Sequence, residues 1–341
     1  MIRPSTAALL LLCAAFAGCS DADLPAAPRS APGGAHPLTA TAGHWVSGSY
    51  GNAYGARSYQ LWVPAGYTGS TPVPLMVMLH GCQQSPSDFA AGTRMNATAD
   101  TRGFLVLYPA QSVFANGSSC WNWFYIANQV RGSGEPSIIA GMIDQVKAGY
   151  SVDGARVGAA GISAGAAMAT ILGCTYPDRV RRVASAAGMM YGGATTATGG
   201  VNAMFYGSIY SPDGEGSDCA SQMGSYRRSI PVLVFQGTAD GVVNPVNATQ
   251  VVGQWTQTND IATDGSDNGN VDATADATVS GTACRSYTQY DYRDSATGAV
   301  MVRKYLVSGM GHAWSGGSSA GSYTDSCGPD ATTITANFFG F

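Results

Sequence analysis

Seven short apolar runs recur along the chain, at Gln60–Pro64, Pro74–Leu79, Phe104–Tyr108, Arg156–Ala160, Val180–Ala184, Val232–Phe235 and Val302–Val307. Several are unalternated, the mark of strands buried on both faces. Helical stretches such as Ser137–Ala148 and Ala164–Tyr176 fall between them. Strand and helix in alternation predict an α/β fold, with a mostly parallel central sheet flanked by helices. A chain of 341 residues is long enough to bury a large core within one domain.

The N-terminus has a separate character. Arg3 precedes an apolar run from Ala7 to Ala17, which closes on Ala17-Gly18-Cys19-Ser20. This is the three-part layout of a secretory signal over residues 1–19, too short to span a bilayer, and no transmembrane segment is expected. Two processing routes fit. One is ordinary cleavage; the other is a lipoprotein signal in which Cys19 becomes a lipidated first residue, although Phe16 stands where such signals usually carry leucine. Both predict export. Residues 20–43 are rich in Ala, Pro, Ser and Thr without apolar period, which reads as a flexible tether, and the folded body is expected over 44–341.

Within that body, residues 259–281 are dense in Asp, Asn, Gly and Thr and predict a polar surface excursion. Asp260, Asp264, Asp267 and Asp272 invite a calcium reading, but their spacing departs from the Asp-x-Asp-x-Asp-Gly chelating loop, so a solvated loop is expected. The net charge of −4, with no lysine or arginine run, gives no footprint for nucleic acid or an anionic membrane. Beyond the leader stand Cys82, Cys120, Cys174, Cys219, Cys284 and Cys327. An even count in an oxidising compartment predicts three disulfides, whose connectivity these spacings leave open. The chain has no Cys-x-x-Cys pair, and His36, His44, His80 and His312 lack zinc-ligand spacing, so neither metal nor cofactor is expected.

The sharpest chemical signal is Gly161-Ile162-Ser163-Ala164-Gly165, set between a strand-like run and an alanine-rich helical stretch. In a nucleophile elbow of the α/β-hydrolase type the strand-to-helix turn is so tight that the residues flanking the serine must be small. The helix start then directs free N–H groups at the reacting oxygen. A serine hydroxyl needs a base to take its proton, and His312 is the only histidine that follows Ser163. The acid that orients the base belongs between them, beyond another strand. Asp240 is the first carboxylate after Val232–Phe235, with Asp325 and Asp330 as alternatives nearer the histidine. The backbone N–H of Ala164 and that of Cys82, in the turn after Pro74–Leu79, are candidate oxyanion donors. His80, at the same strand exit, suits a structural or pocket-shaping role. Trp121 and Trp123 are candidate walls of an ester pocket, and Trp314 joins them as a candidate substrate contact.

Eight ordered blocks carry a family likeness: Leu79-His80-Gly81-Cys82, Leu107-Tyr108-Pro109, Cys120-Trp121-Asn122-Trp123-Phe124, Arg131-Gly132-Ser133-Gly134-Glu135-Pro136, the Ser163 elbow, the Asp240 turn, Gly311-His312-Ala313-Trp314-Ser315-Gly316-Gly317, and Gly328-Pro329-Asp330-Ala331. Together they resemble the secreted short-chain polyhydroxyalkanoate depolymerases and their feruloyl- and acetylxylan-esterase relatives, from about Ser58 onward. The resemblance implies an α/β-hydrolase catalytic domain, triad roles for Ser163, Asp240 and His312, and a Cys82–Cys120 disulfide. Cys174–Cys219 and Cys284–Cys327 are the expected remaining pairs. It further implies an exported, monomeric ester hydrolase acting on poly(3-hydroxybutyrate)-type polyester or its oligomers, or on feruloyl or acetylxylan esters. Polymer-degrading members carry a C-terminal binding domain, which this sequence, ending at Phe341, is expected to lack. A non-catalytic polymer-binding protein on the same scaffold is the competing class; it is expected to have lost a triad member, and all three are present.

Overall fold

The structure, a computed structural model, describes residues 42–341. The expected signal, the Cys19 anchor site and the tether up to residue 41 lie outside the described residues.

The chain opens with a hairpin of β1 (His44–Asn52) and β2 (Gly55–Val63), then runs through β3 (Val73–Leu79), α1 (Pro86–Thr93), α2 (Met95–Arg102) and β4 (Leu105–Pro109). Next come α3 (Gly134–Gly149), β5 (Val152–Ile162), α4 (Ala164–Thr175), β6 (Arg182–Ala186), α5 (Ala197–Tyr206), α6 (Pro212–Gln222), β7 (Val232–Gly237) and α7 (Val246–Asp264). The remainder is β8 (Ala277–Thr282), β9 (Ser286–Arg293), β10 (Val300–Val307), the two-residue strands β11 (Trp314–Ser315) and β12 (Thr324–Asp325), and α8 (Ala331–Phe339).

Ten strands form one sheet in the order β1-β2-β4-β3-β5-β6-β7-β10-β9-β8. The run from β4 to β10 is parallel throughout, and antiparallel hairpins close both edges. Strand side chains alternate between two cores. Leu75, Val77 and Leu79 of β3 pack with α3, α4 and α7, whereas Met76 and Met78 face Phe89 of α1, Met95 of α2 and Phe339 of α8. The result is a three-layer α/β/α sandwich, the fold class expected from the alternating runs. Backbone closeness is set by glycine where layers meet: a Cβ on Gly158 of β5 would stand 2.3 Å from the Phe339 ring. Among the described residues, no helix is long and apolar enough to cross a membrane.

The expected excursion at 259–281 is shorter than its composition suggests. Residues 259–264 are the last turns of α7 and 277–281 belong to β8, so the irregular stretch is 265–276. Polar composition misled because these polar groups are satisfied internally. Asn259 accepts the Ile230 N–H and donates to the Ile230 carbonyl, while Asp260 accepts the N–H groups of Asn268, Gly269 and Val271. Asp264 is engaged likewise, by Ser266, Asn268 and Asn270.

The six cysteines pair as Cys82–Cys120, Cys174–Cys219 and Cys284–Cys327. The first ties the exit of β3 to the segment after β4. The second joins α4 to α6, and the third joins the β8–β9 turn to the loop before α8.

Candidate active site

At the carboxyl edge of β5 the chain turns into α4 on a single residue, Ser163, whose backbone has φ 57° and ψ −123°. That is a region L-residues rarely adopt, and it persists because the surroundings over-determine it. The Ser163 N–H donates to the Ala186 carbonyl at 2.9 Å, and its own carbonyl accepts the Ala167 N–H at 3.1 Å. The flanking glycines are dictated by close approach. A Cβ at Gly165 would stand 2.1 Å from the Leu79 carbonyl oxygen, and one at Gly161 would stand 2.4 Å from the Gly165 carbonyl carbon. Gly165→Ala is therefore expected to push apart the β3 exit and the elbow, costing about 1–3 kcal/mol of overpacking together with most of the activity. Parallel melting and ester-hydrolysis assays check this, and an alanine variant of wild-type rate would refute it.

Asp240 lies in the turn after β7 and His312 in the loop after β10, and the two meet: His312 Nδ1 is 2.9 Å from Asp240 Oδ2. The other carboxylate oxygen accepts the N–H groups of Val242 and Val243, at 2.9 and 2.8 Å. Fully buried Gln236 adds a donor, its Nε2 lying 3.1 Å from Oδ2. Burial opposes ionisation of Asp240, but the hydrogen bond and charge of His312, with the Val243 and Val242 N–H groups, outweigh it and hold the carboxyl below its usual range. The alternative acids are engaged elsewhere. Asp325 pairs with Arg285 at 2.8 Å, and Asp330 caps the N-terminus of α8 through the Thr333 N–H.

The turn after β3 spends the donors on either side of Cys82. The Gly81 N–H goes to Gln84 Oε1 and the Gln83 N–H to the Ser118 carbonyl. Ala164 is the first residue of α4, where backbone N–H groups lack intrahelical partners.

His80 takes the structural arm of its expected role, whereas the tryptophans are placed differently from the sequence expectation. His80 is buried, with Nδ1 at 2.8 Å from the Gly81 carbonyl and Nε2 accepting the Gln111 N–H at 3.1 Å. Burial lowers its pKa, offset in part by the Gly81 carbonyl, so a neutral imidazole braces the turn. Trp121 and Trp123 are closed into the core on the α3/α4 side of the sheet, and Trp314 into the other, where its indole donates to Thr332 Oγ1. None of the three lines an open pocket, because each ring is consumed by core packing.

Two functional groupings escaped the sequence reading. Glu135, buried at the start of α3, accepts from Arg57, Gln111, the Asn122 side chain and the Asn122 backbone, fastening the segment that carries Cys120. It lies within the Arg131–Pro136 block, but partners 13 to 78 positions away along the chain leave no local signal. Glu135→Ala strands the buried Arg57 charge and is expected to cost about 3–5 kcal/mol, measurable by denaturant unfolding; a loss within error of zero would contradict the network. Tyr323 is the second: its ring lies 6.0 Å from that of His312, and its hydroxyl donates to Gln83 Oε1 at 3.0 Å.

A strained serine at a strand–helix elbow, followed in chain order by an aspartate bonded to a histidine, on a parallel sheet closed by helices, defines the α/β-hydrolase class. The Esterase PHB depolymerase family matches residues 57–278, and the chain belongs to that family. It is 34% identical over 253 residues to poly(3-hydroxyalkanoate) depolymerase C of Paucimonas lemoignei, covering 73% of this chain but only 56% of that protein. Feruloyl esterase B of Neurospora crassa is 29% identical, with 71% and 79% of the two chains covered. Among solved structures, the acetyl xylan esterase from Aspergillus awamori shares the fold, with a TM-score of 0.65 at 18% identity over 83% of this chain and 94% of that one.

Proposed function

We propose that this protein is an exported serine esterase that cleaves carboxylic esters through an acyl-enzyme. The observation that carries the reading is the His312–Asp240 contact on the same sheet edge as the Ser163 elbow. His312 takes the Ser163 hydroxyl proton as Oγ bonds to the ester carbonyl carbon, and the carbonyl electron pair moves to oxygen. The Cys82 and Ala164 N–H groups hold that oxyanion. Collapse breaks the bond to the alcohol oxygen, which receives the proton from His312, and water then repeats the sequence to free the acid.

Poly(3-hydroxybutyrate)-type polyester or its oligomers are the first substrate class, supported by the likeness to the Paucimonas depolymerase. Feruloyl or acetylxylan esters are the second, supported by the Neurospora relative and by acetylxylan esterase A of Emericella nidulans, 26% identical over 218 residues. Export agrees with three disulfides formed in an oxidising compartment; the exported monomer is either released by ordinary signal cleavage or held by a lipid on Cys19. A fluorophosphonate probe tests the mechanism: peptide mapping is expected to find the adduct on Ser163, and an adduct elsewhere would overturn it. Rates on hydroxybutyrate oligomers, amorphous polyester, methyl ferulate and acetylated xylan decide the substrate.

A further inference from the structure

In the sheet order Cys82 and His312 stand on opposite sides of Ser163. Cys82 follows β3 on one flank of β5, whereas Asp240 and His312 follow β7 and β10 on the other. β3 and β10 are four strand steps apart, roughly 19 Å at about 4.8 Å per step. A tetrahedral intermediate is far smaller than that, so a contact outside the sheet has to set the two loops against each other. Residues 318–323 make it. Beyond His312 the chain pairs Trp314 with Thr324 through β11 and β12, and the stretch between them lies on α1, the helix that follows the Cys82 turn. The Ser318 N–H donates to the Gly92 carbonyl at 2.8 Å. A Cβ on Gly321 would stand 2.4 Å from the Asp88 carbonyl oxygen and 2.5 Å from the Gly92 nitrogen, so backbone rests on backbone.

Two ties join this strap to the Cys82 turn. The inner one centres on buried Gln84. Its Oε1 accepts the Gly81 N–H at 2.9 Å, and its Nε2 donates to the Ser322 carbonyl and to Asp88 Oδ2, both at 3.0 Å. Asp88 in turn accepts the Ser322 N–H on Oδ1 and the Ser322 hydroxyl on Oδ2. The outer tie is Tyr323, whose hydroxyl donates to Gln83 Oε1 while its ring meets the His312 imidazole edge-on. Gln83 and Tyr323 both hold left-handed backbones, with φ 63° and 51°. Side-chain-bearing residues keep that conformation only where their surroundings impose it, and such residues concentrate where geometry serves function. Here the Ser118 carbonyl holds the Gln83 N–H, and the Trp314 N–H holds the Tyr323 carbonyl.

Resting on the serine-esterase reading, we propose that Gln84, Asp88 and Tyr323 are positioning residues, which register the Cys82 N–H against His312 through the strap of residues 318–323. They act through others. Gln84 and Gln83 fix the turn on either side of the Cys82 N–H, Asp88 fastens the strap to Gln84, and Tyr323 seats the imidazole. A donor stabilises the oxyanion only when it stands about 2.7–3.1 Å from where the charge develops, so a displaced turn lowers kcat and leaves ground-state binding alone.

The test uses the full chain and p-nitrophenyl butyrate, with rates taken per active site titrated by a fluorophosphonate so that misfolded protein does not count. Tyr323→Phe removes the outer hydrogen bond and keeps the ring on His312; kcat is expected to fall about 5-fold with KM within about 2-fold of wild type. Combined with Gln83→Ala it should be no slower than the slower single variant, since both remove one bond. Asp88→Asn leaves Gln84 on Gly81 but offers a single oxygen to the Ser322 N–H, the Ser322 hydroxyl and the Gln84 amide, and kcat is expected to fall about 10-fold. Losing a carboxylate charge on the oxyanion side would by itself favour the intermediate, so a fall reports geometry. An aryl trifluoromethyl ketone gives the second readout. Ser163 Oγ adds to its carbonyl carbon, His312 takes the hydroxyl proton, and the carbonyl electron pair moves to the oxygen held by Cys82 and Ala164, so its affinity should weaken in parallel with kcat. Wild-type kcat per titrated site in either single variant, Tyr323→Phe or Asp88→Asn, overturns the proposal, as does lost kcat with unchanged ketone affinity. A wild-type protein that neither titrates nor hydrolyses the ester rejects the esterase reading, and the proposal with it.

Discussion

Ser163→Ala is expected to reduce turnover of a soluble ester by roughly 10⁶-fold, the scale of losing the nucleophile from a triad that acts as a unit, with residual rate left to the oxyanion donors. The protein should nonetheless fold, because the elbow is held by backbone groups: the N–H to Ala186 and the carbonyl to Ala167 both survive the change. Alanine does not relieve the φ of 57°, whereas glycine adopts that conformation freely. Ser163→Gly is therefore expected to be more stable than Ser163→Ala by about 1 kcal/mol while equally inactive. Denaturant unfolding of the two variants, alongside rates on p-nitrophenyl butyrate, reads both effects. An active alanine variant removes Ser163 from the mechanism. An alanine variant as stable as glycine removes the strain from the elbow.

What the sequence could reveal followed the range of its signals. The parallel strands are continuous apolar runs, and their segments were recovered to within a few residues, as with Pro74–Leu79 against β3 and Val302–Val307 against β10. The edge hairpins were harder. β1, β8 and β9 carry Ser, Thr, Gly and Tyr on half-exposed faces, so no apolar run marks them except at the β2 side of the first hairpin. Candidate site residues on tight turns were legible because such turns demand small residues and a fixed chain order. Side chains whose role depends on distant partners were not: the fate of His80 is decided by Gln111, and that of Trp314 by Thr332 and Phe89. A tryptophan in a motif reads alike whether it lines a pocket or fills a core, and here packing won.

Asp240→Asn is the second large effect, expected at about 10⁴-fold in kcat with the fold retained. His312 must present its far nitrogen to the serine as an acceptor, which requires the proton on Nδ1, facing Asp240 Oδ2 at 2.9 Å. An amide in that place can turn its NH₂ toward Nδ1 and stabilise the opposite tautomer, which cannot take the serine proton. The variant also tests the electrostatics. Since the folded-state pKa of Asp240 is depressed, its contribution to stability is present above the ordinary carboxylate pKa of about 3.9 and is lost as pH falls through the folded value. Wild type should consequently lose more stability than Asp240→Asn on acidification below about pH 4, in unfolding curves taken at matched ionic strength. Asp325→Asn weakens the Arg285 ion pair and Asp330→Asn leaves a competent helix cap, so both should keep turnover near wild type. If Asp330→Asn is the crippling change and Asp240→Asn is mild, the acid has been assigned to the wrong loop, and the geometry at His312 is not the geometry that works.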